Sequence, residues 1–430
     1  MTTLKYTDMI GCQFKQERTI SLDKCGKFLF FICILMEKNE FLARLDYLQW
    51  PVLFLLMTIL FKQLWNKNKI LNDSAFIWVI VFTFCVSCSM VWAINTNKTL
   101  VDIKYFLKII VVTGYLIYIV KKDQNIDFLI WSMILTSLLS SMMIIPNIIV
   151  QNGSQIISRA QIKIYGIDIN ANQVCPNMAF SIIFLMYKIR ICKKRLFRLI
   201  YLALMGVFLL SILFLGARAS LLVVLGGLIL NALTGSASDV LRKCVFALFI
   251  LLILFMLVMN VPALYDAIGH RLEDTINLFL GNTYVSENQK SDNMRMQLIA
   301  NGWDMFLQKP LFGYGSGNYA DINLVYYGSK YYSHNNYIEL LVGLGVTGTL
   351  AYYLFHFKLL LLIYKSKTSN INHYLNLAKQ VILCMLLLDI TYVTYNVLDM
   401  WLCLLIAYGS LYLGKRLNEE GVICENSVCA

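Results

Sequence analysis

The chain has 430 residues, 59% of them apolar and only 14% charged, with a mean hydropathy of +0.65 and a formal net charge of +12. A soluble domain carries about 25% charged residues, so a chain this apolar cannot cover its surface with polar groups, and lipid must be part of its solvent. The basic residues are dispersed over short segments between apolar runs, which argues against nucleic-acid binding. No alternating strand pattern with turn spacing suggests a transmembrane barrel.

The first 27 residues are mixed and polar, without the pattern of a signal peptide. Apolar runs long enough to cross a hydrocarbon core of about 30 Å then follow near 19–37, 46–64, 75–94, 103–120, 126–145, 174–191, 196–215, 217–234, 242–262, 336–363, 377–397 and 399–414. The expected fold is an all-α polytopic bundle of about twelve spans, one integral membrane domain over 1–430. A large extracytoplasmic loop at 263–335 separates the ninth span from the tenth. Cys85 and Cys88 form a CxxC inside an apolar run, where they read as small packing residues; no cysteine lies in the 263–335 loop to brace it.

Charge sets the orientation. The termini and the even-numbered connections carry twice the Lys and Arg of the odd-numbered ones, and the densest cluster is Lys188, Arg190, Lys193, Lys194, Arg195 and Arg198. Positive connections stay cytoplasmic, so both termini are expected inside and the segments 146–173 and 263–335 outside. Irregular segments on a rigid scaffold commonly carry function, which directs attention to these two.

In the first, Arg159 and Lys163 accompany Asp168, Asn170 and Asn172; at the head of the eighth span stands Arg218. In the second, Ser291-Asp292 is expected to cap a helix from Asn293 to Gln308. Its apolar residues Met294, Leu298, Ile299, Met305 and Phe306 would seat it on the membrane or on the bundle. Arg295 would fall in its first turn, where free N–H groups favour an anion. The run Phe312-Gly313-Tyr314-Gly315-Ser316-Gly317-Asn318-Tyr319 lacks the Gly-Lys-Ser/Thr of a phosphate-binding loop. Its glycines allow a tight turn or close approach to a ligand, and its tyrosines suit either an interfacial belt or stacking on sugars. His334 sits where the loop re-enters the membrane; a lone histidine there is either structural or a proton acceptor with a pKa near neutrality. No Cys/His/Asp cluster at ligand spacing points to zinc. Asp389 reads as a buried carboxylate whose partner the sequence does not reveal.

The stretch from Arg295 through Pro310-Leu311-Phe312-Gly313-Tyr314-Gly315-Ser316-Gly317-Asn318-Tyr319 to His334-Asn335-Asn336-Tyr337 and Leu344-Gly345-Val346-Thr347-Gly348 resembles the O-antigen ligase/polymerase family. Leu215-Gly216-Ala217-Arg218-Ala219-Ser220 and the Arg159–Ala179 segment resemble two further family segments. The chain departs at Gly343, often acidic in the family, and at Ala217, often serine. The resemblance implies an inverting, metal-independent glycosyltransferase of the bacterial cytoplasmic membrane, without cofactors. Its donor is an undecaprenyl-diphosphate-linked oligosaccharide and its acceptor a sugar hydroxyl. It puts Arg218, Arg295 and Arg159 on the donor diphosphate and His334 on the acceptor. Tyr314, Asn318, Tyr319, Asn335 and Tyr337 become candidates for contacting glycan. A polymerase of repeat units is favoured, because nothing marks a particular acceptor; a ligase or O-oligosaccharyltransferase is the alternative, and a lipid-linked glycan flippase the alternative of another class. Membrane lipid, a chain-length regulator and a flippase of the same pathway are the candidate partners.

Overall fold

A computed structural model describes residues 23–36, 49–64, 70–150, 162–164, 167–234, 255–262, 287–366 and 372–419, with a few isolated positions between 253 and 273. Within them the chain is a helical bundle: α1 (23–36), α2 (Gln49–Leu64), α3 (Ser74–Cys88, extended by a 3-10 turn Ser89–Trp92), α4 (Thr96–Asp123), α5 (Asp127–Val150), α6 (Ala171–Ile191), α7 (Arg195–Phe214), α8 (Arg218–Ala232), α9 (Glu287–Gln308), α10 (Tyr319–Tyr327), α11 (Asn336–Lys365), α12 (His373–Leu388) and α13 (Leu398–Glu419). One short antiparallel hairpin, Ile162–Ile164 with Ile167–Ile169, precedes α6.

Six of these helices, with the α3 turn included and α5 taken to Pro146, are long and apolar enough to cross a membrane, and three shorter apolar stretches lie within α2, α8 and α12. The chain is therefore a multi-pass membrane protein. Part of the expected twelve-span pattern lies outside the described residues, most of 242–262 above all.

Local sequence explains the ends. Asp73, Asn95, Asn170 and Asn372 each accept a bond from a first-turn N–H and so cap α3, α4, α6 and α12. Between α7 and α8 Gly216 takes a left-handed φ of 62°, the tight turn that the missing loop demanded.

One end of the bundle gathers ion pairs: Lys121–Asp73 at 2.7 Å, Lys122–Asp23 at 2.8 Å, Lys27–Asp123 at 2.6 Å and Lys188–Asp127 at 2.5 Å. Asp73, Lys121, Lys122 and Asp123 lie in connections assigned to one membrane side by charge, and Lys188 belongs to the basic cluster assigned to that same side. The opposite end, which carries α9, α10 and the start of α11, is hereafter the loop end. Between the two ends the core is aromatic: Trp78 stacks on Phe355 at 4.3 Å and on Trp401 at 4.8 Å, with Phe82, Phe106 and Tyr352 around them.

The sequence expectation needs two corrections. The helix containing Arg295 starts at Glu287, so Ser291 and Asp292 lie within it rather than capping it, and Arg295 is two turns from the free N–H groups. The expected span 377–397 is helical only to Leu388; an irregular, largely buried stretch at 389–397 leads into α13.

Candidate functional site

The loop end is built around a break in α11. Gly345 has φ 64° and ψ −168°, and the helix is interrupted there. In an unbroken helix the N–H of Val346 and Thr347 would bond to the carbonyls of Val342 and Gly343. Instead Val346 donates to Pro310 (2.8 Å) and Thr347 to Leu311 (3.3 Å), while Tyr314 donates to Val342 (2.9 Å) and Gly315 to Gly343 (2.8 Å). The segment 310–315 thus supplies backbone partners for the N–H groups of Val346 and Thr347 and for the carbonyls of Val342 and Gly343. Irregular backbone buried in this way survives only when protein satisfies it.

This geometry also explains two glycines. A Cβ on Gly313 would overlap the Val342 carbonyl, and one on Gly345 the Leu311 carbonyl, and both have positive φ. The spacing read as a tight turn or a close approach to a ligand brings the loop against the broken helix. The rest of the run is pinned to α4: Ser316 donates to Asp102 at 2.5 Å, Thr99 to the Ser316 carbonyl at 2.9 Å, and Asn318 to Thr99 at 3.0 Å. Asp102 also accepts from Tyr395 at 2.9 Å.

Immediately before α11 the chain is held at nearly every residue except His334. Ser333 donates its N–H to Glu339 (3.1 Å) and its hydroxyl to the Asn335 carbonyl (2.7 Å). Asn335 caps α11 through Ile338 N–H (3.0 Å) and donates to the Ile390 carbonyl (3.0 Å). Asn336 donates its N–H to the Asp389 carbonyl (2.8 Å) and its amide to Tyr353 (2.8 Å), and accepts from the N–H groups of Thr394 and Tyr395. Tyr353 and Thr394 in turn donate to the Asp389 carboxylate, which supplies the partners that the sequence left unnamed.

Between these anchors His334 is half-buried with φ 54°, a conformation unusual outside glycine. Its ring lies 3.9 Å from that of Tyr332. Burial first, and the nearby Arg295 guanidinium second, push the imidazole down to about 4. At neutral pH the ring is uncharged and able to accept a proton. Arg295 also acts on Tyr332, drawing its phenol down against the larger upward push of burial.

Arg218, half-buried, is the first residue of α8. It lies at the loop end: α8 packs on α12 through Cys384 and the Val223 carbonyl (3.7 Å), and α12 ends beside Asn336. Arg159 lies outside the described residues. The candidate glycan contacts need correction. Tyr314, Asn318 and Tyr319 are buried, with Tyr314 donating to Gln308 (3.1 Å) and Tyr319 to the Leu298 carbonyl. Tyr337 stacks on Tyr353 at 4.8 Å and donates to Leu386 (2.9 Å), and both ends of the Asn335 amide are engaged. Among the described tyrosines of this segment, Tyr326, Tyr327 and Tyr331 are exposed.

Sequence reasoning assigned no role to Tyr332, Ser333 and Asn336, which surround His334, or to Asp102 and Tyr395, which anchor the loop. Asp102 stands just before the apolar run 103–120, between Lys98 and Lys104, and of the others only Asn336 stood within a motif.

Residues 200–353 match the family model described as O-antigen ligase, which supports a place for the chain in the O-antigen ligase/polymerase family. The match includes Arg218, Arg295 and His334. No curated protein matches the chain.

Proposed function

We propose that this chain, similar over residues 200–353 to O-antigen ligases, is a membrane glycosyltransferase that polymerises undecaprenyl-diphosphate-linked repeat units into a surface polysaccharide. The reading places it in the bacterial cytoplasmic membrane with both termini inside and the loop end outside. The observation that carries it is the Arg295–His334 pair: a guanidinium beside a neutral imidazole, at one end of a multi-pass bundle.

In this reading the donor diphosphate binds Arg295 and Arg218, joined by Arg159. As the glycosidic bond breaks, negative charge grows on the leaving diphosphate, and forked guanidinium contacts stabilise it in a partly dehydrated cleft. The donor is already activated, so no metal or cofactor is invoked. His334 takes the proton of the acceptor hydroxyl as that oxygen attacks the anomeric carbon. The acceptor enters from the side opposite the leaving group, and the configuration inverts. Glycan contact falls to the exposed Tyr326, Tyr327 and Tyr331, while Tyr314, Asn318, Tyr319, Asn335 and Tyr337 hold the scaffold. A chain-length regulator and a flippase would act beside it.

The test supplies purified undecaprenyl-diphosphate oligosaccharide to the reconstituted protein. A ladder of products supports polymerisation. Transfer only onto an added lipid core or protein acceptor identifies a ligase, and translocation without any new glycosidic bond identifies a flippase; either result replaces the reading.

A further inference from the structure

The exposed surface of α9 has its own pattern. Leu298 and Met305 are buried against α10 and α11, and this is the face that binds the helix to the protein. A second apolar stripe runs along the other side: Met296, Ala300, Trp303 and Leu307 recur at helical spacing. Met296 is 70% exposed, Trp303 49% and Leu307 59%. Beside that stripe Gln297, Asp304 and Gln308 form an exposed polar edge. The half-buried Arg295 belongs to the opposite edge. A helix standing in water would not leave this apolar row uncovered.

What covers it follows from where the row leads. Beyond Leu307 it passes to Leu311 and Phe312, 61% and 56% exposed. Leu311 is hydrogen-bonded through its carbonyl to the hydroxyl of Thr347 at 2.9 Å. Thr347 heads the exposed stripe of α11, which continues through Leu350, Leu354, Phe357 and Leu361 along a helix long and apolar enough to span a bilayer. The apolar row on α9 is therefore the upper end of the lipid-facing wall of a spanning helix. Trp92 stands beside it, its ring 5.6 Å from that of Phe312 and its indole N–H donating to the Phe312 carbonyl at 3.1 Å. Trp and other aromatic rings collect at the level of lipid headgroups.

We infer that α9 is a membrane-interface helix, seated lengthwise in the loop-side leaflet, with Met296, Trp303, Leu307, Leu311 and Phe312 at the boundary between acyl chains and headgroups. Its polar edge faces water, and its Arg295 edge faces the protein at headgroup depth. The partner is the lipid surface itself, and the inference stands whatever reaction the site performs.

The test uses the full chain labelled with fluorotryptophan in nanodiscs of phosphatidylethanolamine and phosphatidylglycerol, with no partner protein present. The fluorine resonance lost in W303F is that of Trp303, and the one lost in W92F is that of Trp92. A nitroxide on an upper acyl carbon of the lipid should broaden the Trp303 resonance away, while a water-soluble gadolinium chelate leaves it sharp. The reverse pattern at Trp303, including the pattern expected of a surface kept for another protein, overturns the inference. Trp92 gives the same reading independently if W303F does not fold. Glycosyl transfer plays no part in either readout, so a failure here leaves the proposed chemistry untouched, and the converse holds.

Discussion

Arg295 and His334 are separated by the whole glycine-rich segment, yet the guanidinium lies near enough to the imidazole to help burial push it down to about 4. An unperturbed histidine titrates near 6.5. The acid limb of kcat/KM for the wild type should therefore fall near pH 4. Arg295→Gln removes one downward influence, so the limb should move toward higher pH, in addition to any loss of donor affinity; Arg295→Lys should keep it low. An unmoved limb in R295Q would separate the two residues. Linkage gives a second sign. The native state resists protonating this ring, so the unfolded chain binds the proton first as pH falls. Stability should decline as pH is lowered from about 6.5 toward 4, and His334→Gln should flatten that decline.

Loss of the His334 imidazole should cost about 10²–10⁴-fold in turnover, the range of general base catalysis. The neighbouring Asn335 cap and Asn336 network do not involve the ring, so His334→Ala should unfold at a temperature close to wild type while its product ladder disappears. Full ladders from this variant would remove His334 from the chemistry.

Gly345→Ala should be poorly tolerated. Its φ/ψ pair is open essentially to glycine alone, at about 1–3 kcal/mol for other residues, and the added methyl would overlap the Leu311 carbonyl. The variant should unfold at a lower temperature in detergent and lose activity with it. Gly328→Ala has open space around it and only the φ penalty, so it should lose less.

Asn336→Ala should leave the N–H groups of Thr394 and Tyr395 without their acceptor and Tyr353 without one donor. Each buried orphan costs about 1–3 kcal/mol, so a fall in thermal stability larger than that of Tyr353→Phe is expected. Equal stability of the two variants would show that another group satisfies the freed amides.

Spanning helices were legible because a bilayer imposes one length and one composition, and α3 to α7 and α11 follow from that alone. His334 and Arg295 were visible as cationic or titratable residues beside apolar runs. What the sequence hid is pairing between distant backbone groups. Nothing in Pro310 or Leu311 announces that their carbonyls complete a helix beginning at Asn336. The apolar residues of 377–397 likewise gave no notice that Asp389 would end the helix by binding Tyr353 and Thr394. Such breaks are set by tertiary partners, which no local pattern encodes. Tyr314 and Tyr319 were misread for the same reason: a tyrosine that packs inward and one that meets a sugar look alike along the chain.

The exchange of backbone partners between residues 310–315 and the interruption of α11 has a consequence for how the chain can be altered. Neither piece is complete alone, because each supplies backbone partners to the other. Lengthening or shortening the chain between Pro310 and Gly315 would put the two out of register and leave their amides without partners. The same change at Gly328–Lys330 lies outside that exchange and would disturb only the end of α10, where Gly328 caps the helix and Ser329 accepts from Asn323. Swaps of loop segments between relatives should respect the first boundary above all.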